Sequence, residues 1–123
     1  MPDASTTRFL AGRDLRVSSK SEVSRVFNEG KRVGDRRITL LAASNGEDVA
    51  RFAVAVSKRH GNAVARNRLK RLCREAFRLT RPEVPTGFDY VVLPRVGKRL
   101  SVMDIQASIR ALVGKATRDD DTK

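Results

Sequence analysis

The sequence predicts an α+β fold, a small α–β sandwich built on one sheet. Three observations lead there: a long helical period after Asn62, apolar strand-like segments at 37–43, 50–57 and 88–93, and a second helical period after Ser101. With 123 residues and 40% hydrophobic content, the chain is long enough to bury one core and too short for two. One domain over 1–123 is therefore expected, with an ordered core at about 14–116 between a flexible arm and a frayed tail.

The arm, residues 1–14, carries no hydrophobic period. A short helix should follow, with Ser19 and Glu22 as a capping box, Val23, Val26 and Phe27 as an i, i+3, i+4 stripe, and Gly30 as its stop. Arg37–Ala43 reads as a strand, Ser44–Asp48 as a turn tipped by Asn45-Gly46, and Ala50–Ser57 as the second strand of the resulting hairpin. In that strand Ala53 and Ala55 alternate with Phe52, Val54 and Val56, giving one shallow face and one bulky face. The long helix should run from Ala63 to Leu79, with Asn62 as N-cap and Pro82 beyond its end. A loop with Pro85 and Gly87 leads to a strand at Phe88–Leu93, stopped by Pro94, and then to the basic loop Arg95–Arg99. Ser101 and Asp104 cap a last helix that gathers Val102, Ile105, Ile109, Leu112, Val113 and Ala116 on one side.

The formal charge is +12, and residues 58–78 alone hold eight Lys/Arg against one acid, Glu75. Charge this dense points to a polyanion, nucleic acid or an anionic membrane surface. Nucleic acid is favoured, because no 18-residue apolar stretch exists and the N-terminus lacks the apolar core of a signal peptide. One cysteine rules out an internal disulfide and fits the cytoplasm.

On a helical wheel with Ala65 at 0°, Leu69, Leu72, Cys73 and Ala76 fall within about 100° and form the expected buried stripe. Asn67, Lys70, Arg71, Arg74 and Arg78 lie opposite, and Arg66 and Arg68 flank the two edges. An ordinary solvated face interleaves acids with bases, since like charges at i, i+4 repel by a few tenths of a kcal/mol. The row Arg66–Lys70–Arg74–Arg78 has no acid within it, which favours a partner that supplies negative charge. Six of the eight cations are Arg, whose planar guanidinium suits phosphate oxygens and can stack on bases. Gly61-Asn62 offers backbone N–H groups at the helix start, a weak signal because the pair is also ordinary turn punctuation.

Catalysis by the polypeptide finds little support. His60, the one histidine, sits beside Lys58 and Arg59 and reads as a surface or RNA-contacting residue rather than a general base. Cys73 falls on the apolar side as a packed thiol. No His/Cys spacing suggests zinc, and the acids form no two-metal pattern. Phe27, Phe52, Phe77, Phe88 and Tyr90 mostly read as core, without the aromatic-rich strands of a stacking platform.

Ser57-Lys58-Arg59, followed by the run Gly61-Asn-Ala-Val-Ala-Arg-Asn-Arg-Leu-Lys-Arg-Leu-Cys-Arg-Glu-Ala-Phe77, closely resembles the signature of the bacterial ribonuclease P protein subunit. Its hallmark is Arg66-Asn67-Arg68, and the likeness extends more loosely over about residues 14–113. The resemblance implies a sandwich like the second domain of ribosomal protein S5, with Arg66-Asn67-Arg68 inside a left-handed βαβ crossover. Pattern alone would have given the opposite hand, since about 98% of such crossovers are right-handed.

The resemblance also implies partners: a catalytic RNA, and a precursor tRNA whose 5′ leader that RNA removes with its Mg²⁺ ions. The protein would contact the single-stranded leader in a central cleft, at positions matching Val23, Phe27, Leu41, Ala55, Asn67, Arg71 and Arg74. Val23 and Leu41 stand where aromatic residues are frequent in that family, so apolar contact would replace stacking there. We place Lys58, Arg59, Arg66, Arg68 and Lys70 on the ribozyme-facing side. No catalytic residue, protein-held metal or membrane partner is expected. The competing readings are another RNA-binding module, such as a ribosomal or assembly protein, and a self-sufficient nuclease.

Overall fold

A computed structural model describes residues 20–118. The expected arm, the Ser19 cap and the tail beyond Arg118 lie outside the described residues. Helix α1 spans Lys20–Glu29, α2 Ala63–Thr80 and α3 Val102–Thr117; strands β1 to β4 span Lys31–Gly34, Ile38–Ser44, Arg51–Val54 and Phe88–Pro94. Short 3₁₀ turns occupy Lys58–His60 and Arg81–Glu83. The strands form one sheet in the order β1-β2-β4-β3, antiparallel except for the parallel pair β3–β4.

Helices α2 and α3 cover one face of the sheet and α1 covers part of the other. Phe52, Leu40, Tyr90 and Val92 meet Cys73, Ala76 and Phe77 of α2 and Ile105 and Ile109 of α3 in the larger core. The Phe77 ring stacks on Phe52 at 4.6 Å and tilts against Tyr90 at 5.4 Å. Each such pair adds about 0.5–1.5 kcal/mol beyond area burial. On the opposite face Val26, Leu41, Ala43 and Val91 form a smaller cluster, with Val23, Ala53, Ala55 and Leu93 packed around it. The shallow and bulky faces expected of β3 are therefore both present, one toward each helical layer.

The helix caps also follow expectation. Asn62 Oδ1 accepts from Ala65 N at 2.9 Å, and Ser101 and Asp104 cap α3 reciprocally. Gly30 ends α1 for a steric reason. A Cβ there would collide with the Val26 carbonyl and lie 2.9 Å from the Ala42 carbonyl oxygen.

The expected hairpin does not form. The Asn45-Gly46 turn is real, with Gly46 at φ +71°, but β4 enters between β2 and β3. Asn45 N donates to Gly87 O at 2.9 Å and Gly87 N to Val49 O at 3.0 Å, so the turn is bonded to the loop before β4. The physical reason lies in β4 itself, where Asp89 to Val92 are all buried. A continuous run of this kind needs a neighbour on each edge and cover on each face. Two further differences concern the strands: β1, short and polar, lies outside the expected set, and β3 stops at Val54 rather than Ser57 as the chain turns toward the 3₁₀ segment at Lys58.

The hand of the crossover follows from L-chirality. With the α2 face toward the viewer and β4 running upward, a residue pointing at the viewer sends its own N–H and C=O to the right. Val92 points to that face, and its carbonyl accepts from Ala55 N at 3.0 Å. Strand β3 thus lies to the right of β4. The chain passes from right to left through a helix in front, which is a left-handed β3-α2-β4 unit, against the usual preference.

One buried charge ties these parts together. Asp89, 0% exposed, receives Arg51 Nε and Nη2 at 2.8 Å each, Arg25 Nη2 at 2.9 Å and Asn45 Nδ2 at 2.9 Å. Burial alone would raise its pKa. The hydrogen bonds from Arg51, then those from Asn45 and Arg25, outweigh that and hold it below the ordinary carboxylate value. Arg51→Met, which leaves Arg25 as the sole charge on Asp89, should cost roughly 3 kcal/mol in urea unfolding. Because the folded pKa is depressed, this stabilisation is complete above the unfolded value of about 3.9 and lost as pH falls through the lower folded value. Asp89→Asn should therefore flatten the acid limb of the stability profile below about pH 4; an unchanged limb would show that other carboxylates control it.

Candidate nucleic-acid interface

The topology brings two basic segments to one end of the sheet. Strand β3 and its parallel neighbour β4 finish at the same end, the first leading into Lys58, Arg59 and α2, the second into Arg95, Lys98 and Arg99. A groove of about 350 Å³ opens between α2 and the 97–100 loop, lined in part by Arg68, Leu69, Leu72, Lys98 and Arg99. A second, of about 360 Å³, lies among Thr39, Arg59, Leu93, Arg95 and Lys98. Lys98 forms the ridge between them. The 95–99 cations carry no role in the sequence reading, although three bases within five residues were the signal.

His60 fixes this corner. Its Nδ1 accepts from Ser57 N–H at 3.0 Å, so the ring proton sits on Nε2, which donates to the Pro94 carbonyl at 2.7 Å. The 3₁₀ turn bearing Lys58 and Arg59 is thereby pinned to the end of β4. The histidine expected at the surface or on RNA is half-buried with both ring nitrogens engaged, and it lines the groove beside α2. Gly61 follows at φ +119°, a conformation that favours glycine, and passes the chain to the Asn62 cap. That cap already takes the Ala65 N–H, which leaves less of the helix terminus open to an anion.

The α2 wheel needs one revision. Its apolar stripe is buried only from Cys73 onward; Leu69 and Leu72 are half-buried, and Ala65 is exposed. The first two turns project past the core, with Val64 77% exposed. Lys58, Arg59, Arg66, Arg68, Lys70, Arg71 and Arg74 make no ion pair with another described residue. Arg78 differs from the expectation of an acid-free row, since Glu75 grips it at 3.1 and 2.7 Å. Each partner favours the other's charged form, lowering the Glu75 pKa and raising that of Arg78.

The expected cleft residues divide by depth. Val23 and Ala55 are half-buried at the edge of the smaller cluster, and Phe27 is 38% exposed on α1. Leu41 is 1% exposed and sits within the cluster as its floor. Helix α1 packs mainly on β2 and β4, leaving the small side chains of edge strand β3 as a shallow surface. Asn67, Arg71 and Arg74 are exposed on α2, which leaves the end of β3 through the pinned turn. An apolar shelf and exposed, unpaired cations on α2 are the two chemistries suited to a single-stranded polyanion. Among the described residues, no group of three or more His, Cys, Asp or Glu is placed to hold a metal, and no helix is long and apolar enough to cross a membrane.

Residues 12–117 match the sequence profile of the family described as Ribonuclease P. The ribonuclease P protein component of Shouchella clausii is 37% identical over 106 residues, covering 85% of this chain and 87% of that protein. Its counterpart from Clostridium acetobutylicum is 36% identical over 109 residues, covering 85% and 90%. Among solved structures, a Staphylococcus aureus RNase P protein mutant with defective mRNA degradation activity superposes with TM-score 0.74 at 29% identity, covering 92% of this chain and 96% of that one. The Thermotoga maritima RNase P protein gives 0.73 at 30% identity, covering 81% and 96%.

Cys73 illustrates how little nucleophilic chemistry this surface holds. Burial pushes its thiol up to about 12, with the Arg74 charge opposing only in part. A disulfide-exchange reagent at pH 8 should leave the native protein unlabelled and react at the rate of unfolding; fast labelling of folded protein would contradict this packing.

Proposed function

Because the chain belongs to the ribonuclease P protein family, we propose that it binds the catalytic RNA of ribonuclease P together with the 5′ leader of precursor tRNA, assisting removal of that leader. The observation that carries this reading is the set of seven cations, from Lys58 to Arg74, left without an ion-pair partner among the described residues. Retaining such mutual repulsion makes physical sense where phosphates supply the counter-charge.

In this reading the leader lies along the shelf of Val23, Phe27 and Ala55, supported from beneath by Leu41. Phe27, the exposed aromatic of the shelf, is the group able to stack on a base. Arg71 and Arg74 hold leader phosphates through charge-assisted hydrogen bonds, and Asn67 offers both a donor and an acceptor to a base or sugar. Lys58, Arg59, Arg66, Arg68 and Lys70 meet the catalytic RNA. His60 acts through these groups by fixing the turn from which they project. In this reading the Mg²⁺ ions of the reaction are held mainly by the RNA. The protein contributes position and charge, and the strand scission falls to its partner.

Reconstitution tests the reading. Catalytic RNA at low Mg²⁺ should cleave precursor tRNA faster with the protein than without it, and the protein alone should not cleave. Cleavage by protein alone would point to a nuclease, and no effect on the RNA would point to another RNA-binding role. Within the complex, Arg71→Ala and Arg74→Ala should each weaken precursor tRNA about tenfold while leaving mature tRNA nearly unchanged. Equal losses for both tRNAs would remove leader contact as the role of this face.

A further inference from the structure

We propose that the groove between the first turns of α2 and the 97–100 loop seats one unstacked nucleotide of the catalytic RNA, its base on Leu69, Leu72 and Leu100 and its flanking phosphates on Arg68, Lys98 and Arg99. This rests on the reading above that α2 meets that RNA.

The groove has a composition that neither core packing nor a solvated surface explains. Its three leucines are only half-buried, although Leu72 and Leu100 border the larger core. Its three cations come from two separate segments and make no ion pair with another described residue. Apolar walls below converging positive charge match the two chemistries of a nucleotide, a flat base and its anionic links. At about 350 Å³ the space lies at the small end of ligand sites, which run from about 300 to 1,000 Å³. That is room for a single base, whereas bases of an RNA duplex stay stacked and out of reach of such a recess. No Phe, Tyr or Trp lines the groove, where the His60 imidazole is the one aromatic ring, so the base rests mainly on leucine methyls with the Arg68 guanidinium beside it.

The groove belongs to the side of the sheet covered by α2 and α3, where Leu72 and Leu100 pack. Val23 and Ala55 of the leader shelf pack on the other side. Arg68 stands among the cations assigned above to the catalytic RNA, and the groove shares no residue with the leader shelf, so the occupant is assigned to the catalytic RNA. The His60 contacts to Ser57 and Pro94 hold the rim in place before any RNA arrives.

Two measurements on the full chain test this. In methyl NMR, adenosine 3′,5′-bisphosphate should shift Leu69, Leu72 and Leu100, and inorganic phosphate should leave those methyls unmoved. Equal shifts with phosphate, or shifts confined to Val23 and Ala55, would overturn the proposal. In the complex, Arg99→Ala should weaken catalytic RNA about tenfold and lower the salt slope by about 0.7, with the preference for precursor over mature tRNA unchanged. Unchanged affinity and slope would remove the groove from the interface while leaving the wider reading intact. Failure of the unaltered protein to bind catalytic RNA would remove both.

Discussion

Asp89 carries a charge into a place with no solvent, and such a group is tolerable only when its hydrogen-bonding capacity is filled by donors that are themselves held in position. Those donors come from three places: Arg25 on α1, Asn45 in the turn after β2, and Arg51 on β3. The requirement therefore specifies which helix lies over the sheet, which turn abuts β4 and which strand runs parallel to it. Hydrophobic burial supplies the larger free energy but tolerates many arrangements. The carboxylate is satisfied by this one. With β3 fixed beside β4 and α2 packed on the Phe52, Tyr90 and Val92 face, the crossover takes the unusual hand, and the basic end of α2 emerges beside the loop that follows β4.

Two groups of cations stand out among the described residues. Arg25, Arg51, Arg78 and Arg110 are matched to Asp89, Glu75 or Glu83 and stitch elements together or cap their ends. Those from Lys58 to Arg74, with Lys98 and Arg99, are left over at one end of the sheet. Asp89, Glu75 and Glu83 are spent on folding, and the largest group of unpaired positive charge is gathered along α2 and the loop after β4. Field strength at that end exceeds what the net charge alone conveys, and steering of a polyanion toward it follows.

Much of this was legible in the sequence. The α2 and α3 caps, the apolar faces of both helices and the two-sided β3 all follow from local period and short-range hydrogen bonding. The family signature in residues 57–77 carried the crossover hand, which no periodicity encodes. Strand pairing was the main failure. An Asn-Gly turn between two apolar segments is a strong local signal for a hairpin, yet the long-range demand of a strand buried on both faces prevailed. The run Asp89-Tyr90-Val91-Val92 held the clue, because an acid inside an otherwise apolar strand must find distant partners. Leu69 and Leu72 were misplaced for a related reason: a wheel reports which side is apolar, and cannot report where the core ends along the helix axis. The role of His60 depended on Pro94, 34 residues away, and had no local signature.

The central position of β4 bears on how the protein is made. Arg51 reaches Asp89 across 38 residues of sequence and Arg25 does so across 64. A ribosome releases α1, β1, β2, β3 and α2 before the strand that joins them has been synthesised. Until β4 emerges, β2 and β3 present unpaired edges, and the two arginines have no carboxylate to surround. The nascent chain at that stage already carries 19 of the 26 Lys/Arg, and bears its basic helix before its sheet is complete. Arrival of seven residues, Phe88–Pro94, closes both strand gaps at once. Folding is consequently concentrated late in synthesis, with nonlocal closure as its slow step.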